Sequence, residues 1–231
     1  MKKSLICLAV TLVVVGWRGT MSTASAAIVY STIGSASSYD GLHGHTWLGY
    51  SPPLYDWAAA FPFVPASDYS LTTIEIGLGW YKGANGADVW LMSDNAGQPG
   101  TVIESFQVTN IPYFDALHGT SSMPLVELGS VLQPTLQAGT QYWVGASAVN
   151  TGPLADVLWP LVNPQSSLTR ATINYLDASP SWSVTTWNWY VPPLRVNGDA
   201  IPAIPIPGAI GLVATALLTA APLRRRFRRS D

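Results

Sequence analysis

Leu71-Thr72-Thr73-Ile74-Glu75-Ile76-Gly77-Leu78-Gly79-Trp80 alternates apolar residues with small or polar ones. Ile74, Ile76, Leu78 and Trp80 fall on one face and Thr73, Glu75, Gly77 and Gly79 on the other, which is the period of a strand buried on one side. Asn85-Gly86 follows, and this pair readily adopts the positive φ angles of a tight primed turn, so a hairpin is predicted to return through Ala87 to Ser93. On the return, Val89 and Leu91 share one face while Trp90 and Met92 share the other. Two apolar faces predict a strand with neighbours on both sides.

The same pattern continues outward. Asp94-Asn95-Ala96-Gly97-Gln98-Pro99-Gly100 is dense in turn formers, and Thr101 to Thr109 restarts an extended run. Further strands are predicted at Pro124 to Val131, Thr140 to Val149, Ala155 to Trp159, Thr185 to Tyr190 and Leu194 to Asn197, with weaker ones at Ile28 to Ser31 and Thr46 to Tyr50. There is no internal repeat, and no helical period precedes residue 201. Short strands at this spacing predict an all-β domain, an antiparallel β-sandwich of jelly-roll-like form in preference to a barrel. Residues 27–200 are long enough for one domain with a full core.

Both ends of the chain differ from this middle. Lys2 and Lys3, an apolar run from Ser4 to Val15, and Ala24-Ser25-Ala26 form a signal peptide over 1–26, with cleavage expected between Ala26 and Ala27. Cys7, the single cysteine, lies within it, so the exported chain has neither disulfide nor thiol and depends on packing for stability. At the other end Ile204-Pro205-Ile206-Pro207-Gly208 is a rigid junction, because proline removes backbone donors and keeps the preceding residue extended. An uncharged apolar run from Ala209 to Leu223 follows, somewhat short of the roughly 20 residues of a membrane span and able to reach that length by recruiting Ile204 and Ile206. Arg224, Arg225, Arg226, Arg228 and Arg229 then form a cytoplasmic stop. A basic amphipathic helix lying on a surface would stripe its cations along one face, whereas here they are bunched at one end.

Junction, apolar helix and arginine cluster together resemble the PEP-CTERM sorting signal that exosortases act on in Gram-negative bacteria. Ile206 stands where the commonest form has Glu between the prolines, which places the tail nearer the variant with an apolar residue there. The resemblance covers residues 201–231 and implies export through the secretion translocon, a transient inner-membrane anchor, an exosortase-type sorting enzyme as partner, and release to the cell surface or extracellular matrix. The middle of the chain resembles the choice-of-anchor R type of bacterial surface domain. The matching residues are Val89-Trp90-Leu91-Met92-Ser93-Asp94-Asn95 with Gly97 and Pro99-Gly100, then Leu136-Gln137-Ala138-Gly139-Thr140-Gln141-Tyr142-Trp143, and Leu194-Arg195-Val196-Asn197-Gly198. That resemblance spans most of Ala58 to Gly198 and implies an exported β-sandwich with no assigned reaction.

Between Ala27 and Ala200 there are twelve acidic residues against three basic ones, Lys82, Arg170 and Arg195, a net charge of −9. An acidic domain without clustered cations does not hold nucleic acid. His43-Gly44-His45, with Asp40, Asp56 or His118 as further donors, is the nearest approach to a metal site, but it lacks a third ligand at legible spacing, and a solvated glycine-rich loop is the better reading. Asp94 and Asn95 lack the alternating acidic ligands of a calcium loop and are expected to cap their turn. No metal and no cofactor are expected. Glu104 shares a face with Val102, Phe106 and Val108 if its strand is regular, which makes it a buried or rim carboxylate; a glycosidase needs a second carboxylate, and none is nominated. The chain also has no nucleophile elbow, paired-histidine metalloprotease motif or phosphate loop. Trp187 and Trp189 fall on one face of a strand, with Trp182 shortly before. These three are the candidates for stacking on a sugar ring, against a competing role in the core. The reading is therefore a non-catalytic structural or adhesive surface protein. A carbohydrate-binding module that engages extracellular polysaccharide comes second and a glycoside hydrolase third.

Overall fold

A computed structural model describes residues 26–39, 45–51, 55–115, 122–149, 155–160, 162–174 and 179–202. Among them there is no helix, and so none long and apolar enough to cross a membrane. The first strands are β1 (Ala27–Ser31), β2 (Ser38–Tyr39), β3 (His45–Ser51), β4 (Tyr55–Phe63), β5 (Tyr69–Ile76), β6 (Gly79–Lys82), β7 (Gly86–Asn95) and β8 (Gln98–Thr109). They are followed by β9 (Met123–Pro124), β10 (Val126–Gly129), β11 (Thr135–Leu136), β12 (Tyr142–Ala148), β13 (Ala155–Pro160), β14 (Val162–Asn174), β15 (Ser183–Val191) and β16 (Leu194–Ala200).

The domain is all-β, and its strands pair antiparallel. A five-stranded sheet runs β1-β16-β5-β10 with β11 also on β5, and a nine-stranded sheet runs β6-β13-β3-β4-β12-β7-β8 with β14 on β4 and β15 on β14. β2 and β9 form a separate pair. One apolar core takes side chains from both large sheets: Leu71, Ile74, Ile76, Leu194 and Val196 from the first, and Phe61, Val89, Leu91, Val144 and Trp159 from the second. Phe61 meets the Trp159 ring edge-on at 4.7 Å, a favoured geometry for an aromatic pair. A smaller cluster on the nine-stranded sheet gathers Ala60, Met92, Trp143 and Ala171, with Trp90, Trp182 and Val184 packed against it.

Leu71 to Trp80 is one run of alternation but two strands. β5 ends at Ile76 in the five-stranded sheet, and β6 begins at Gly79 in the nine-stranded one. Between them the backbone crosses from sheet to sheet, with Gly77 N–H donating to Pro193 C=O at 2.9 Å and Trp80 N–H to Pro112 C=O at 2.8 Å. A Cβ at Gly77 would stand 2.1 Å from the Pro193 ring, and one at Gly79 would stand 2.5 Å from Phe114 Cβ. Both glycines therefore mark a close backbone approach. Leu78, between them, is fully buried.

The hairpin predicted at Asn85-Gly86 does not form. β6 pairs with β13, and β7 pairs with β12 and β8. Asn85 instead clasps a distant loop, its Oδ1 accepting from Ile111 N–H at 2.7 Å and its Nδ2 donating to Ile111 C=O at 3.0 Å. An Asn side chain mimics a peptide group, so it can tie down a foreign loop as well as cap its own turn. The tight turn lies one strand later, where Ala96 and Gly97 take φ of 53° and 84° between β7 and β8. The inference that the Ala87 to Ser93 run has neighbours on both sides agrees with β7 lying between β12 and β8.

The sequence pattern does not show the two-residue strands β2 and β11, nor two long ones, β4 and β14. β4 lies inside the nine-stranded sheet, and its Ala58-Ala59-Ala60 segment is wholly buried. Alanine is a poor strand former and a run of it shows no alternation, so a strand covered on both faces is hard to recognise there. β14 is long but polar over much of its length, Asn163-Pro164-Gln165-Ser166-Ser167, and so gives no apolar period.

Candidate functional site

Three charged side chains organise the described part of the molecule. The first is Asp94, at the end of β7. Its Oδ2 accepts from Gly97 N–H at 2.9 Å, closing the β7–β8 turn. Its Oδ1 accepts from Gln141 Nε2 at 2.7 Å and from the indole Nε1 of Trp143 at 2.8 Å. Trp143 is fully buried, so this carboxylate satisfies a donor that would otherwise be stranded in the core. Partial burial works against the charge of Asp94, but the bonds from Gly97, Trp143 and Gln141 outweigh it and hold the carboxyl below the usual carboxylate range. The turn-capping role expected of Asp94 is present, and both oxygens are engaged.

The second is Glu104 in β8, only 6% exposed. It accepts from Ser130 Oγ at 2.7 Å, Val131 N–H at 2.7 Å and Leu132 N–H at 3.1 Å. The β8 ladder bulges here: Leu91 faces Glu104 while Met92 faces Val102, leaving Ile103 as an extra residue. The strand is therefore not regular, and Val102, expected on the buried face with Glu104, is 45% exposed. A bulge re-aims side chains in this way. Glu104 is buried, as the pattern suggested, and it clamps the loop after β10 by three charge-assisted bonds.

Arg195 in β16 is the third. Its Nη1 reaches both oxygens of Glu75, at 3.1 and 3.0 Å, and its Nε donates to Gly34 C=O at 2.9 Å. Nη2 donates to Ala36 C=O. Asn197 extends the row, its Nδ2 donating to Glu75 Oε1 at 2.7 Å and to Thr73 Oγ1 at 2.9 Å. The partners are directly opposed in register, Arg195 with Glu75 and Asn197 with Thr73. The glutamates are thus divided, with Glu75 and Glu127 opposed on the five-stranded sheet and Glu104 on the other. This row was missed because its members lie about 120 residues apart, and only the polar face of β5 hinted that a partner was needed.

The glycines of the sequence motifs have equally local causes. Gly139 has φ of 72° in the turn before β12, where a side chain would be strained. A Cβ at Gly198 would meet Ser70 O at 2.8 Å, and one at Gly100 would meet Ser93 Oγ at 2.8 Å. The Asp94 bonds also bring the stretch around Trp90 to Gly100 into contact with the stretch around Leu136 to Trp143.

Of the candidate stacking residues, Trp182 is half-buried against the Trp143 cluster. Trp187 and Trp189 occupy β15, opposite Leu168 and Ser166 of β14, but their side chains lie outside the described residues. The same holds for the side chains of His45 and Asp56, and for Asp40, His43 and His118 entirely. Ala26 lies just before the first strand and Ala27 opens it. Ile204, Pro205, Ile206, Pro207 and Gly208, with Arg224, Arg225, Arg226, Arg228 and Arg229, lie outside the described residues. Among the described residues no group of three His, Cys, Asp or Glu side chains is placed to hold a metal ion. No protein-family model matches the chain, and no curated protein matches it.

Proposed function

We propose that this is an exported surface protein, a jelly-roll-like β-sandwich carried between a signal peptide over 1–26 and a PEP-CTERM-type sorting tail over 201–231. It passes through the secretion translocon, is held briefly in the inner membrane by the apolar run from Ala209 to Leu223, and is released by an exosortase-type enzyme at the proline junction. At the cell surface or in the polysaccharide matrix its role is structural or adhesive and not catalytic.

One observation supports this reading above others. The first and last described strands, β1 and β16, are neighbours in one sheet, so the segments read as signal peptide and sorting tail flank adjacent strands. Ala27 pairs with Gly198, which brings both junctions to the same end of the domain. In addition, Asp94, Glu104, Glu75 and Arg195 are occupied in holding turns and loops, a use suited to a cysteine-free domain that has no disulfides to brace it.

The test is a tail variant. Pro207→Ala combined with Arg224→Glu, Arg225→Glu and Arg226→Glu removes both the rigid junction and the cytoplasmic stop. Fractionation and intact-mass measurement should find it unprocessed or misoriented; parent-like trimming and surface arrival would sink the proposal.

A further inference from the structure

The end of the domain from which the chain departs is unusual in what it displays. Ile201 N–H donates to Asp68 C=O at 2.9 Å, Gly139 N–H to Pro65 C=O at 2.9 Å and Leu71 N–H to Pro134 C=O at 3.0 Å. Ala138 N–H donates to Asp68 Oδ1 at 2.7 Å, and Ser70 Oγ to Gln133 C=O at 3.2 Å. These bonds tie the loop after β4, the loop after β10, the turn before β12 and the chain exit into one rim. The rim carries Val131 at 88% exposure, Leu132 at 66%, Val64 at 49% and Ile201 at 40%. Exposed branched aliphatics grouped on braced backbone, in a domain otherwise sparing in charge, indicate a contact surface.

The rim also selects its partner. Its loops, 64–68, 130–134 and 137–141, contain no lysine or arginine; of the carboxylates on these bonds Glu104 is buried under Val131 and Leu132 N–H, and Asp68, though exposed, accepts from Ala138 N–H. Such a surface engages an apolar medium without help from charge. The tail supplies the medium. Ala209 to Leu223 is 15 residues, about 22 Å as a helix, against a hydrocarbon core of about 30 Å. On the sorting-tail reading the shortfall is met by drawing part of Ile204 to Gly208 into the bilayer. Ile201 is then three residues outside, within about 10 Å of chain from the hydrocarbon boundary, which is headgroup depth.

We infer that the rim bearing Val64, Val131, Leu132 and Ile201 docks on the membrane surface while the sorting tail is inserted, seating the domain upright and fixing the position of the proline junction at the bilayer. This rests on the tail reading above. β1 and β16 both have their outer ends at this rim, through Ala27↔Gly198 and Ala200↔Tyr69, so the signal-peptide junction faces the same membrane. The loop held by Arg195, with Ser35 exposed, is at the opposite end of β16, about 20 Å away at 3.3 Å per strand residue.

The experiment places an environment-sensitive fluorophore on single cysteines in full-length Cys7→Ser protein reconstituted in phosphatidylcholine vesicles. Leu132→Cys reports the rim, Ser35→Cys the far end and Ala214→Cys the tail; the first two sites are exposed, so unchanged melting is expected. With nitroxide-bearing lipids, the Leu132 and Ala214 labels should lose most of their emission and the Ser35 label almost none. Docking through apolar side chains should also be insensitive to salt. Quenching at Ala214 without quenching at Leu132 overturns docking and leaves the tail reading standing. Quenching at Leu132 without Ala214 keeps the lipid-binding rim and removes the tail reading, and quenching at neither removes both. A Leu132 label already shielded before vesicles are added marks a protein contact there, and overturns the inference.

Discussion

The two ends of the domain are closed by the same device in opposite charge. At the rim where the chain exits, the Glu104 carboxylate gathers the N–H groups of Val131 and Leu132. At the far end the Arg195 guanidinium gathers the carbonyls of Gly34 and Ala36. An anion suits a loop that offers donors and a cation suits one that offers acceptors. What differs is the side chains the loops present: Val131-Leu132 at the rim, Ser35-Ala36-Ser37 at the far end. A buried charge bonded to backbone fixes the path of a loop whatever its side chains are, which leaves them free to meet different surroundings.

The comparison breaks first at Glu75. Arg195 is only 9% exposed, and Glu75→Ala leaves its charge with carbonyl partners alone; removing one member of a buried pair typically costs about 3 kcal/mol or more. Glu104→Ala should cost less, about 2 kcal/mol, because the freed Ser130, Val131 and Leu132 donors sit at an exposed loop where water can reach them. Urea denaturation of the two variants checks the order. A Glu104→Ala variant as stable as the parent would show that the rim loop needs no clamp and that the two ends are not equivalent.

A finer contrast lies between two tryptophans. Trp143 and Trp159 are both fully buried, yet Trp143 Nε1 reaches Asp94 and Trp159 Nε1 has no hydrogen-bond partner among the described residues. Trp143→Phe removes a charge-assisted bond along with packing, whereas Trp159→Phe removes an unmet donor. The first should therefore cost about 1 kcal/mol more than the second. The Trp143 contact should also respond to acid. Asp94 has its carboxyl lowered in the folded state, so its stabilising contribution is present above the unfolded carboxylate pKa of about 3.9 and is lost as pH falls through the lower folded value. Thermal melts from neutral pH to pH ~3 should converge for the parent and Asp94→Asn. A constant gap across that range would show that the charge of Asp94 does not matter.

Much of this was legible where a residue's role is set by its neighbours in sequence. The alternation through Ile74 and Ile76, the two apolar faces of β7 and the turn at Asp94 to Gly100 depend on local period and turn chemistry, and the strands follow them. Wherever the partner is remote, sequence misled or stayed silent. Gly77 and Gly79 read as the outer face of one strand, but they mark a crossing pressed against Pro193 and Phe114. Asn85-Gly86 reads as a hairpin because the clasp on Ile111 lies 26 residues away. Burial of Glu104 followed from its apolar neighbours, but its three donors belong to another sheet's loop. β4 was hidden because burial on both faces erases the alternation by which strands are recognised.

The most direct measurement on the whole reading is the intact mass of the protein recovered from the cell surface or its polysaccharide matrix. The expected mass is that of a chain beginning at Ala27 and ending at or near the proline junction, without Arg224, Arg225, Arg226, Arg228 and Arg229. A surface-recovered chain whose mass still includes the signal peptide or the arginine cluster would contradict it.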